Sequence, residues 1–212
     1  MNTTIICGID EAGRGPLAGP VYAGSVILGD NFPKEYLAAL NDSKKIKEST
    51  RIELRQIIID NAFAWGIGSC THTEIDQINI LQATLLAMKR AFEDMFDKKK
   101  SLFLDPPLQK LSVIIDGNHC PNLILPTHCG GSESEIEITA MKKADAQVQE
   151  VMAASILAKT FRDDYMYEMA KKFPQYGYDK HKGYPTKAHR DLVLKHGPSP
   201  IQRLSFRVVS PL

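Results

Sequence analysis

Asp10 and Glu11 stand side by side, directly after an apolar, β-branched run at residues 3–9 and just before a turn made of Gly13, Arg14, Gly15 and Pro16. Asp116 repeats the arrangement, with the apolar run 111–115 before it and Gly117 after it. Carboxylates at the end of an apolar strand are costly unless paired or bound to a cation. Glycine beside them lets the main chain come close to a ligand. In open α/β sheets, ligands bind beyond the C-terminal ends of the strands, so Asp10 and Asp116 converge if their strands are neighbours. Glu11 joins Asp10 only if the strand breaks there, because successive strand side chains alternate between faces. The turn at 13–15 offers a place for such a break. Asp145 is expected to open a long helix, where the dipole favours negative charge.

Four carboxylates brought together repel: two charges 4 Å apart cost about 4 kcal/mol at an effective dielectric near 20. Either their pKa values rise or cations neutralise them. An all-oxygen set suits Mg²⁺ or Mn²⁺, whereas Zn²⁺ usually recruits His or Cys. Two such ions can activate a water and stabilise the departing oxygen of a phosphodiester. The alternative is that these acids are separate caps and turn residues. The pairs His119-Cys120 and His128-Cys129 lack the spacing of a structural zinc site.

The elements that would position these acids can be read from pattern. Strands are expected at 3–9, 20–28, 63–70 and 111–115, and helices at 35–40 and 47–61. Thr71 and Glu74 have capping-box spacing, so a helix starts there, and Asn79 can cap a longer one whose Leu81, Leu85, Met88, Phe92 and Met95 recur at core-facing intervals. Residues 121–140, with a Ser/Glu stretch, fit a loop or a hairpin. A long helix is expected over 144–173, with Ala153, Ala154, Ser155 and Ala158 keeping one surface small. Residues 174–186 read as irregular, and 186–196 as a final helix capped by Thr186. The order of elements predicts an α/β fold with a mixed sheet covered by helices.

The chain's 212 residues fit one domain, with a core at 1–172 and a small helical segment and tail at 173–212. No apolar run is long enough for a membrane span. Four scattered cysteines suit a reducing cytoplasm. Net charge is +1, but residues 171–212 carry +7 and the remainder −6, a distribution suited either to a polyanion facing an acidic site or to a solvated helix face. Residues 202–206 loosely resemble a sliding-clamp peptide, with ordinary docking of the tail the simpler expectation.

The segment IDEAGRGPLAGPV closely resembles the signature of bacterial type 2 ribonuclease H, ribonuclease HII. Later segments match in order: residues 41–45, Ile115-Asp116-Gly117-Asn118, the block 153–159, and 181–186. The resemblance implies a ribonuclease H-like fold with a helical C-terminal subdomain. It implies a monomeric, metal-dependent endoribonuclease that cleaves RNA in RNA–DNA hybrids and incises duplex DNA 5′ to embedded ribonucleotides, leaving 3′-hydroxyl and 5′-phosphate ends. By the same resemblance, Asp10, Glu11, Asp116 and Asp145 are the catalytic, metal-binding carboxylates for Mn²⁺ or Mg²⁺. Gly13, Arg14 and Gly15 match the loop whose backbone contacts the ribonucleotide 2′-hydroxyl, and Tyr184 the tyrosine that packs on the sugar beyond the RNA–DNA junction. Lys44, Lys45, Lys182 and Arg14 are expected near phosphates. Ala144 stands where the family usually has glycine. A binding protein that has lost catalysis is the rival reading.

Overall fold

The computed structural model describes residues 4–40, 47–99, 108–125 and 130–208. Five strands form one sheet: β1 (Ile5–Ala12), β2 (Val21–Ile27), β3 (Ala64–Cys70), β4 (Leu108–Asp116) and β5 (Gly130–Met141). Their spatial order is β3-β2-β1-β4-β5. The β1–β2 and β2–β3 pairs are antiparallel, and β1–β4 and β4–β5 are parallel, so the sheet is mixed as expected.

Helix α3 (His72–Lys98) covers one face of the sheet. The core there includes Cys7, Ile9, Val113 and Ile115 from the strands and Met88, Phe92 and Met95 from α3. The Thr71–Glu74 capping box is present, and Asn79 leaves the helical region at φ 65° while its side chain accepts from the N–H groups of Leu81 and Gln82. Asn79 thus ends one short helical segment and caps the next, and the two run on as α3.

The opposite face carries α4 (Gln149–Lys172), with α1 (Lys34–Leu40) and α2 (Glu48–Asn61) packed outside it. Helix α4 lies almost on the strand backbones. A Cβ at Gly8 would sit 2.2 Å from Glu150 C, and one at Gly24 would sit 2.5 Å from Ala154 O. Only glycine permits that approach.

Three expectations need correction. The long helix begins at Gln149 and not at residue 144; Lys143 is left-handed at φ 59°, Ala144–Ala146 form a 3₁₀ turn, and the N-cap Val148 is extended. Asp145 therefore precedes the helix. Among the described residues, 121–140 form neither a hairpin nor only a loop, since most of β5 lies there, parallel to β4. Its polar look is that of an edge strand: Glu135 and Glu137 are exposed while Ile136 and Ile138 pack toward the core, and edge charges discourage further pairing. Residues 174–186 are more regular than expected, holding a 3₁₀ turn (Pro174–Tyr176) and the short helix α5 (Tyr178–His181).

Helix α6 (Lys187–His196) starts at Thr186, whose hydroxyl accepts from His189 N–H. A third cluster, including Ala18, Met166, Tyr178, Val193 and Ile201, fastens this C-terminal segment to α4 and to the β1–β2 loop. Residues 202–205 are docked: Arg203 is buried, and Leu204 and Ser205 donate their N–H groups to Asp76.

Candidate active site

The parallel register of β1 and β4 pairs Cys7 with Val113 and Ile9 with Ile115. The next residues, Asp10 and Asp116, therefore lie abreast on the same face, at roughly the 4.8 Å spacing of neighbouring strands. Alternation puts Asp10 on the face that Gly8 opens to α4. Asp145 arrives from the 3₁₀ turn. Ligand oxygens of Asp10, Asp116 and Asp145 all lie within 4.8 Å of one another. Asp10 and Asp145 are buried, at 5% and 4% exposure.

Several bonds hold this arrangement. Asp116 Oδ1 accepts from Ala144 N–H at 2.8 Å, and Gly117 N–H donates to Met141 O at 3.1 Å. Asp10 Oδ1 accepts from the Glu11 N–H at 2.7 Å, and the Asp10 carboxyl is also bonded by the Ser155 side chain of α4. Burial pushes the Asp10 carboxyl well above the usual carboxylate range, and the charges of Glu11 and Asp116 push it further.

Glu11 does not need a strand break to reach its neighbours. Strand β1 continues through it to Ala12, which pairs with Tyr22. Its side chain stands beside the group of three and not within it: Oε1 is 3.3 Å from Arg14 Nη1, and the carboxyl also bonds Asp10. Burial raises the Glu11 carboxyl, and Arg14 opposes that rise. Its Oε2 is buried without a hydrogen-bond partner among the described residues. An all-carboxylate set, one member pushed up by its neighbours and another with an unmet oxygen, fits a divalent cation of the Mg²⁺ or Mn²⁺ type.

A groove of about 430 Å³ opens beside the carboxylates. Glu11, Gly13, Arg14 and Gly15 form one wall, Ser155 and Lys159 of α4 a second, and Tyr184 a third. Gly13 is left-handed at φ 103°, and a Cβ there would meet Arg162 Nε at 2.2 Å. Tyr184 is 39% exposed and reaches within 3.9 Å of where a Gly15 Cβ would be. Lys182 lies close in sequence but its ammonium is engaged elsewhere, on Asp179 O and 3.8 Å above the Tyr167 ring. Lys44 and Lys45 fall outside the described residues.

No site role was expected for Arg51, Arg162 or Arg203, the last seen only within 202–206, and Ser155 and Lys159 entered only as part of the matching block 153–159, Ser155 also as a small packing residue. Ser155 and Lys159 are one helical turn apart, the spacing that puts both on one face. That signal was present in the sequence. Arg51, another groove residue, comes from α2 and had none.

The ribonuclease HII family model matches residues 7–209. A ribonuclease HII of Treponema denticola is 48% identical, over 96% of this chain and 98% of its own. One from Dechloromonas aromatica is 44% identical, over 97% and 92%. Among solved structures, the ribonuclease H2 of Pyrococcus horikoshii superposes with a TM-score of 0.66 at 24% identity, covering 96% of this chain and 94% of that one. The Bst ribonuclease HIII in complex with Mn²⁺ gives 0.66 at 16% identity, covering 98% and 68%. These superpositions make the expected ribonuclease H-like fold the observed one. With the family model spanning nearly the whole chain and close relatives matching end to end, the chain belongs to the ribonuclease HII family and is a ribonuclease H hydrolase.

Proposed function

We propose that this enzyme cleaves the RNA strand of RNA–DNA hybrids and incises duplex DNA on the 5′ side of embedded ribonucleotides, with Mg²⁺ or Mn²⁺, leaving 3′-hydroxyl and 5′-phosphate ends. The observation that carries the reading is the convergence of Asp10, Asp116 and Asp145 within 4.8 Å beside a groove lined by Glu11, Gly13, Arg14, Gly15 and Tyr184. Two divalent ions held there would supply the Lewis acid that activates a water and offsets charge on the departing oxygen.

The chain's own residues do the rest. Asp10, Glu11, Asp116 and Asp145 would hold the ions, with Glu11 reaching in from beside the other three. Ser155 orients the Asp10 carboxylate. Gly13, Arg14 and Gly15 bring main chain against the ribose, whose 2′-hydroxyl separates RNA from DNA. Tyr184 packs on the sugar beyond the junction. Arg51 and Arg14 supply positive charge along the groove for phosphates, Lys159 lies there paired with Asp163, and the basic segment 171–212 extends that field.

We further read the enzyme as a cytoplasmic monomer, in which residues 1–172 form the catalytic core and 173–212 its C-terminal appendage. No helix among the described residues is long and apolar enough to cross a membrane, and Cys7, Cys70 and Cys120 form no disulfide. A duplex with one ribonucleotide, incubated with Mg²⁺ or Mn²⁺ and again with chelator, tests the function. Cleavage 5′ to the ribonucleotide that chelator abolishes is expected. Metal-independent cleavage, or none, would refute it.

A further inference from the structure

Two buried arginines hold the β1–β2 loop from behind. Arg203 is 0% exposed and donates to three main-chain oxygens: Nη2 to Gly13 O at 2.6 Å, Nη1 to Arg14 O at 3.0 Å and Nε to Gly19 O at 2.8 Å. Its own N–H donates to Leu17 O at 2.8 Å. Arg162, also 0% exposed, donates to Pro20 O at 3.0 Å, Ala18 O at 3.2 Å and Lys182 O at 3.0 Å. Burying a guanidinium is costly unless its donors are met, and here, apart from Arg162 Nη1, which has no partner among the described residues, the acceptors are backbone carbonyls of the loops that face the groove.

The direction of those bonds matters. In a planar trans peptide, C=O and N–H point opposite ways. Pinning Gly13 O and Arg14 O onto Arg203 turns the N–H groups of Arg14 and Gly15 away from it. Both residues line the groove, and neither N–H has a hydrogen-bond partner among the described residues. Arg203 is itself clamped. Asp76 of α3 accepts from Leu204 N–H and Ser205 N–H, each at 2.9 Å, and from the Ser205 hydroxyl at 2.5 Å.

We propose that Arg203, clamped through Asp76, is a positioning residue that aims the Arg14 and Gly15 N–H groups at the 2′-hydroxyl of the ribonucleotide. The inference rests on the reading that this loop faces ribose. Discrimination of RNA from DNA is then set partly by the C-terminal segment, far from the carboxylates in sequence.

Two quantities test it: the half-saturating concentration of a one-ribonucleotide duplex in single-turnover cleavage, and the inhibition constant of the all-DNA duplex as competitor. The second divided by the first measures how strongly the enzyme senses one 2′-hydroxyl. Arg203→Met should lower that ratio about tenfold, the worth of one or two hydrogen bonds, with the all-DNA constant unchanged. Asp76→Asn should lower it less, in the same direction, and it carries the test if Arg203→Met does not fold. Equal losses on both duplexes, or a lower Tm with the ratio intact, would make Arg203 a structural residue only and overturn the inference. A wild-type ratio of one would overturn the ribose-facing reading itself.

Discussion

Asp116 Oδ1 accepts the backbone N–H of Ala144 at 2.8 Å, joining the end of β4 to the turn that carries Asp145. Strand β5 makes this possible. It runs parallel to β4, pairing Asp116 with Met141, so the chain leaves β5 beside the point where β4 ended. The turn that follows brings Asp145 back over Asp116. One acid thus helps to position another.

Asp10 is one of the three converging carboxylates, bonded by the Glu11 N–H and by Ser155. Asp10→Asn should reduce cleavage more than about 100-fold, the order expected when a group stabilising transition-state charge is lost, while hybrid binding changes little. Mg²⁺ or Mn²⁺ should raise the Tm of the wild type by binding only the folded state, and the variant should lose that rise. Calorimetry with and without metal, beside a cleavage assay, checks both. Unchanged turnover would remove Asp10 from the metal site.

Tyr184 is a groove wall and is 39% exposed, so truncation leaves little cavity. Tyr184→Ala should cost about tenfold on RNA–DNA junction substrates, the scale of one stacking contact, and less on uniform hybrids, with Tm nearly unchanged. Equal losses on both substrates would show that the ring does not sense the junction.

His189 is fully buried, stacked 4.3 Å from His181 and bonded through Nδ1 to Tyr184 O at 3.0 Å. Burial lowers its pKa from 6.5 to about 4. Between these values the unfolded chain binds a proton that the folded chain refuses, so stability falls as pH drops from 6.5 toward 4. His189→Gln should be less stable than wild type at pH 7 yet lose less Tm over that window. Parallel pH slopes for the two proteins would place the acid sensitivity elsewhere.

Gly8→Ala should destabilise the fold by about 1–3 kcal/mol, the usual cost of overpacking. Its new Cβ would lie 2.2 Å from backbone atoms of Glu150 and Val151, which cannot move aside as a side chain can. Because α4 also carries Ser155 and Lys159, cleavage should fall further than stability alone accounts for. Urea unfolding and cleavage at a permissive temperature check the pair of effects.

Much of the scaffold was legible because local signals agreed with the tertiary outcome. The β-branched runs became β1, β2 and the end of β4, and Thr71, Asn79 and Thr186 cap helices as their side chains suggested. Strand β5 was not legible. Its alternation of glutamate and isoleucine has meaning only beside β4, where one face meets a core and the other meets solvent. The true start of α4 was hidden for a related reason. Alanines 144 and 146 favour helix, but the Asp116 bond to Ala144 and the left-handed Lys143 hold a separate turn there.

The order of residues alone determined that acids would stand at the ends of two apolar strands, with glycines beside them, because strand composition and turn chemistry are local properties. Folding alone decided that β1 and β4 are parallel neighbours in register, that Asp145 returns over Asp116, and that Arg203 reaches the loop at Gly13. Those relationships join residues separated by 106, 29 and 190 positions. No local preference encodes a distance of that kind; it follows from which faces the sheet and helices must bury together.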